Sequence, residues 1–259
     1  MRTELVRKLS RWIMLPEADR GMLETLPGRV QGFARGERPL AGIDPTRCTL
    51  LMLEGWAAEF KDAPNGRRVI VEYLLPGDFR LSTPHRDRAL DIVMLSQGAV
   101  QMVPQEAMQA LQGHEAIRRA LEWTESVRAA TQAEWLVNIG ARKAYARLAH
   151  LLCELAVRMN SIDLLDANMC ELPVTQIDLA SSLAMSNVHL NLALQRLRAA
   201  KLVDISAKRL TILKRAELEA IAGFDDSYLL RWPTALPDRR VRSDPPKGLP
   251  ERRRVAGRR

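Results

Sequence analysis

The feature that most constrains this chain is a change of rhythm at Pro104. Before it, apolar runs are short. Segments 49–53, 56–61, 67–75, 90–95 and 99–103 are rich in Val, Ile, Leu and Tyr, and Glu54-Gly55, Asn65-Gly66, Pro76-Gly77 and Gln97-Gly98 lie between them. Asn-Gly supplies the positive φ values of a tight turn, and Pro-Gly stops a strand. Many short strands at close spacing predict an antiparallel barrel or jelly roll. After Pro104 the period becomes helical. A short helix is expected over 105–111. Residues 115–135 hold neither Gly nor Pro and are strong helix formers. Within them Ile117, Leu121, Thr124, Val127, Thr131 and Trp135 recur along one face. Asn138-Ile139-Gly140 reads as a break. A second helix follows over 142–159, with Ala144, Leu148, Leu151, Leu152 and Leu155 in its apolar stripe. Residues 160–171 read as a loop. The fold class is α+β.

The 259 residues suffice for two ordinary domains. With 47% hydrophobic and 27% charged residues the chain belongs to the globular class, and it has no internal repeats. No run of about twenty apolar residues occurs, so no membrane-spanning helix and no membrane partner are expected. The basic start is not followed by a long apolar run, so no cleaved leader is expected. Cys48, Cys153 and Cys170 are scattered, which argues against a disulfide framework and fits a reducing cytoplasm. The net charge of +8 invites a nucleic-acid partner, but residues 231–259 hold ten basic groups against Asp238, Asp244 and Glu251. That stretch therefore carries +7 of the +8, and its prolines and arginines read as a disordered basic tail.

The strongest local signal lies near residue 180. Thr175 caps a short expected helix over 175–183, and Asp178 three residues on can reach back to the cap. Leu179, Ala180 and Leu183 form its apolar face. After Ala184-Met185, Ser186 caps a second helix over 186–200, with Val188, Leu190, Leu194 and Leu197 as candidate inner positions. Two short helices joined by a tight turn are the geometry that inserts the second helix into a major groove. Segments 202–206 and 209–213 read as a two-stranded wing. The same spacing also describes a helical hairpin that only packs.

The run Thr175-Gln176-x-Asp178-Leu179-Ala180, followed by Ser186-x-Val188-His189-x-Asn191, resembles the helix-turn-helix of the Crp/Fnr superfamily. It is most similar to the Fix-type branch common in alphaproteobacteria. Leu53-Glu54-Gly55-Trp56, Asn65-Gly66-Arg67-Arg68 and Leu75-Pro76-Gly77-Asp78 resemble that branch's β-roll. Residues 146–155 and Phe224-Asp225-x-x-Tyr228-Leu229 also follow its pattern. The resemblance spans about residues 5–230. It implies a cyclic-nucleotide-binding-like β-roll with an N-terminal helix over 1–113. A dimerisation helix over 114–137, paired with its copy along the stripe above, and a winged helix-turn-helix over 138–230 complete the plan. It implies a transcription regulator with double-stranded DNA, a second copy of the chain and RNA polymerase as partners. Trp56, Trp123 and Trp135 are expected as core or seam anchors, and Trp12 as support for the first helix.

Two positions depart from the family. Ala184 stands where Gly is usual in the turn, and Leu192 stands where an arginine usually follows the Asn. An arginine there can bind guanine bidentately; leucine offers only apolar contact, as to a thymine methyl. Base reading then falls on Asn187, His189 and Asn191, with Val188 as an apolar contact, and phosphate positioning on Thr175, Gln176 and Arg196. An operator tolerant of A·T pairs is expected. The alternative is the same fold acting as a ligand-sensing or protein-interaction module with degenerate DNA recognition. In the β-roll, Gly77, Asp78, Arg86 and Arg88 are the candidates for holding an anionic ligand. The hydroxyl residue that should follow the arginine is missing, since Ala89 follows Arg88, so no cyclic nucleotide is expected. An iron–sulfur cluster needs four thiolates and only three exist. No His pair has metal-ligand spacing, so no cofactor is expected, and no catalytic motif marks an enzyme.

Overall fold

In the computed structural model, residues 3–11, 13–44, 46–64, 66–81 and 90–230 are described. Helices α1 (Thr3–Ser10) and α2 (Glu17–Glu24) precede a two-sheet roll. Strands β1 (Arg29–Phe33), β2 (Cys48–Glu54), β5 (Phe79–Arg80) and β7 (Gly98–Pro104) form one sheet in the order β1-β7-β2-β5. Strands β3 (Ala57–Asp62), β4 (Arg68–Leu74) and β6 (Leu90–Met94) form the other, in the order β4-β3-β6. All pairings are antiparallel. Between the sheets lie Leu50, Met52 and Val100 from one and Ala57, Leu74, Ile92 and Met94 from the other. The β-roll expected from the short apolar runs is present. Strands β1 and β5 were not expected: β1 is a polar, exposed edge strand without an apolar signal, and β5 is two residues long.

Helix α3 (Gln105–Gln112) leads into α4 (Glu115–Ala141), which differs from the expected helix at its end. It runs straight through Asn138-Ile139-Gly140. Asn138 is buried, and its side-chain amide donates to Arg147 O at 3.2 Å, so tertiary contact holds this segment helical. The chain turns at Arg142, whose φ of −92° and ψ of 148° are extended. Ile117, Leu121, Thr131 and Trp135, expected to face a second copy, are buried within the chain itself.

Helix α5 (Ala144–Asn160) is buried along most of its length. The segment read as a loop after it contains β8 (Met169–Glu171), which pairs with β10 (Arg209–Ile212), itself paired with β9 (Val203–Ser206). The wing is thus three-stranded. Helices α6 (Gln176–Ser182), α7 (Asn187–Ala199), α8 (Arg215–Ala222) and α9 (Ser227–Leu230) complete the described fold. One apolar cluster runs from Trp56, Ile70 and Tyr73 of the roll through Trp135 and α5 into α6, α7 and the wing. The roll and the helix-turn-helix share a core. Tyr73 packs edge-on against both Trp56 and Trp135, at centroid distances of 6.2 and 5.8 Å.

Candidate nucleic-acid interface

Local chemistry sets both ends of the helix pair. Thr175 Oγ accepts from Asp178 N at 3.1 Å, and Thr175 N donates to the Asp178 carboxylate at 2.7 Å, a reciprocal capping box. Ser186 Oγ accepts from His189 N at 3.2 Å and starts α7. Between them Ala184 adopts φ 50°, the left-handed conformation that favours glycine. Met185 N donates to Ala180 O at 3.0 Å across this turn and closes the end of α6.

Helix α7 has two faces. Leu190, Ala193, Leu194 and Leu197 are buried. Asn187, Val188, His189, Asn191, Leu192, Gln195 and Arg196 are exposed. Val188, expected also as an inner position, is 68% exposed, and Ala193 fills the inner row instead. Five of the sequence-named contact residues thus lie together on α7, and Arg196 is on the same exposed side. The Arg196 guanidinium lies over the Tyr145 ring at 3.9 Å, and the Ser186 hydroxyl meets His189 Nδ1 at 3.1 Å. Thr175 and Gln176 are exposed at the start of α6. On the wing, Ala207 and Lys208 form a turn with φ of 48° and 60°, and Lys208 and Arg209 are exposed.

The sequence reading missed three features of this surface. Ile177 is 67% exposed beside Gln176. Gln195 shares the outer face of α7. Arg35 of the roll reaches α6, with Nη1 donating to Pro173 O at 2.9 Å and Nη2 lying 3.3 Å from Asp178 Oδ2. A contact between residues 143 positions apart leaves no local signal. Helix α6 is fastened to the roll further along. Ile70 N donates to Ser181 Oγ at 3.1 Å, Ser181 Oγ donates to Arg68 O at 3.0 Å, and Tyr73 OH bonds Ser182 Oγ at 3.0 Å.

The candidate ligand residues of the roll are only partly described: Arg86 and Arg88 lie outside the described residues. Gly77 has φ 83°, and a Cβ there would sit 2.9 Å from Glu4 O, so glycine lets α1 approach. Asp78 is buried between α1, α5 and the roll. One of its carboxylate oxygens meets Lys8 Nζ; the other accepts from Leu75 N at 2.7 Å and Arg158 Nη2 at 2.9 Å. Burial alone would raise this carboxyl, but the Lys8 and Arg158 charges outweigh it and hold the group down at about 2. Arg80, also buried, is paired with Glu59 and Glu72. All three cysteines are buried, and burial pushes the Cys153 and Cys170 thiols up to about 12 and 11. Among the described residues no helix is long and apolar enough to cross a membrane.

The Crp-like helix-turn-helix domain family matches residues 146–221. No curated protein matches the chain. Among solved structures, FixK2 from Bradyrhizobium japonicum is similar with a TM-score of 0.66 and 20% identity, over 77% of this chain and 100% of that one. A CRP-family transcriptional regulator from Thermus thermophilus is similar with a TM-score of 0.57 and 23% identity, over 75% and 97%. A putative cAMP-binding regulatory protein from Silicibacter pomeroyi gives 0.56 and 20%, over 85% and 100%. Residues 146–221 are therefore a Crp-like helix-turn-helix domain, carried by a chain with the fold of the Crp/Fnr transcription regulators.

Proposed function

We propose that the chain is a transcription regulator that binds double-stranded DNA as a homodimer, placing α7 of each copy in the major groove of a near-palindromic operator. The observation that carries this reading is the doubly capped helix pair whose second member leaves Asn187, Val188, His189, Asn191 and Leu192 exposed. Thr175, Gln176, Arg196, Lys208 and Arg209 supply phosphate contacts around it.

The dimer rests on a second feature. On the outer side of α4, Glu122, Ser126, Ala129, Ala133, Leu136 and Gly140 are all exposed and are spaced three or four residues apart. That is the spacing of a coiled-coil seam, and its small residues let two helices approach closely. Two half-sites about one DNA turn apart, roughly 34 Å, are the spacing that a two-fold pair of α7 helices must match. RNA polymerase is the expected partner of the assembled complex. The role needs no resident metal cluster and no cyclic nucleotide at Gly77-Asp78, whose carboxylate is engaged by Lys8 and Arg158.

The test is a titration of the full chain against a pool enriched from random duplexes and against the unselected pool, across a salt series. Selective retention with log affinity falling linearly in log salt is expected. Equal retention of both pools overturns the regulator in favour of an interaction module with degenerate DNA recognition. Deleting residues 238–259 is expected to weaken both pools alike and to flatten the salt slope, because those residues carry non-specific charge.

A further inference from the structure

The outer arc of α7 has an order that its composition does not reveal. At 3.6 residues per turn, Val188 lies at its centre, with Leu192 about 40° to one side and Gln195 about 20° to the other; Asn191 and Asn187 follow beyond Gln195, Arg196 and His189 beyond Leu192. Val188 and Leu192 are 68% and 58% exposed, against the near-zero exposure of the inner leucines. No Asp, Glu, Lys or Arg occurs on α7 before Arg196, and Arg196 lies across Tyr145. The middle of the outer face therefore carries two apolar side chains with amides beside them, Gln195 and then Asn191, and no carboxylate or ammonium group.

The major groove offers one apolar group, the 5-methyl of thymine. G·C pairs present only acceptors and an amino donor. Asparagine and glutamine complement the N6 donor and N7 acceptor of adenine. An apolar centre with an amide flank thus fits both members of an A·T pair and lacks the guanidinium that binds guanine. Resting on the DNA-binding reading above, we propose that Val188 and Leu192 make the chain a reader of thymine methyl groups, with Asn191 and Gln195 taking the paired or adjacent adenines. Sequence preference in each half-site then depends on methyls that carry no hydrogen-bonding information.

The experiment removes the methyl and nothing else. Sites are first selected from random duplexes with the full chain. Each thymine of the selected site is then replaced by uracil, and affinity is measured for the natural chain, Leu192→Ala and Val188→Ala. A loss of about fourfold per contacted methyl is expected at one or two positions in each half-site. The uracil penalty at one position should vanish in Leu192→Ala and that at a neighbouring one in Val188→Ala, each variant being compared with itself on thymine and uracil duplexes. Because both side chains are exposed, these variants keep the fold. Selected sites that tolerate uracil everywhere, or a uracil penalty untouched by either variant, overturn the inference and leave DNA binding standing. A library that enriches no sequence overturns both.

Discussion

At the scale of single residues, Ala184 shows how local conformation outranks composition. Its φ of 50° puts a Cβ where only glycine is at ease, and the turn of the helix pair still forms, because the caps at Thr175 and Ser186 and the buried leucines on both sides hold it. Ala184→Gly is expected to raise stability by about 1 kcal/mol, read as a higher thermal midpoint with unchanged DNA affinity. Both caps were legible, since a cap is a bond between a side chain and a backbone group three residues away. The side on which Val188 falls was not. An apolar residue near a helix start fits either face, and only the packing of Ala193 and Leu194 into the shared core turns Val188 outward. Asp78 was legible as a functional carboxylate by resemblance alone. Its commitment to Lys8 and Arg158 depends on contacts 70 and 80 residues away.

At the scale of elements, α4 is the clearest case. Its large apolar residues dominate any reading of periodicity, and they point at the chain's own body: Ile117 and Leu121 join the cluster built by α1 and α3, and Trp135 the one built by α5. The opposite stripe, with Ala129, Ala133 and Gly140, has no apolar signal strong enough to register. Leu136 is its one large member and is 74% exposed. Leu136→Glu would place a charge on the proposed seam, and it is expected to weaken dimerisation about tenfold or more, because a buried unpaired charge is costly. Sedimentation of the folded variant measures this. A dimer as tight as the natural one would remove α4's outer stripe from the assembly.

At the scale of the whole molecule, the roll and the helix-turn-helix are joined by a common apolar core and by polar clamps, and buried titratable groups in and beside that core govern stability against acid. His150 is 1% exposed between Phe224 and Tyr228, and burial, with Arg142 nearby, lowers its pKa to about 4. The folded state prefers it neutral, so its contribution is complete above about pH 6.5 and is lost as pH falls towards 4. Glu154, one turn on, is held by Trp135 Nε1 and Tyr228 OH, and burial raises its pKa. Protonating it therefore favours the fold and offsets part of that loss. Asp78 adds a further loss only below about pH 4, as its carboxylate is protonated. Relative to the natural chain, His150→Phe is expected to remove an acid destabilisation on the order of 2–3 kcal/mol between pH 6.5 and 4. Thermal midpoints of both chains across that range check it; parallel curves would show that His150 does not titrate there.

The sequence by itself determined what short-range chemistry controls: the strand-rich first part, the helical second part and the capped helix pair. Turn propensity, helix period and capping act over a few residues, so they can be read along the chain. Tertiary structure alone decided which face of α4 is buried inside the chain, how Arg35, Tyr73 and Ser181 fasten α6 to the roll, and that Asp78 is neutralised by Lys8 and Arg158. The contacts of Arg35, Tyr73, Ser181 and Asp78 join groups 70 to 143 residues apart, brought together by burial of a shared apolar core, and no local pattern records which of them will meet.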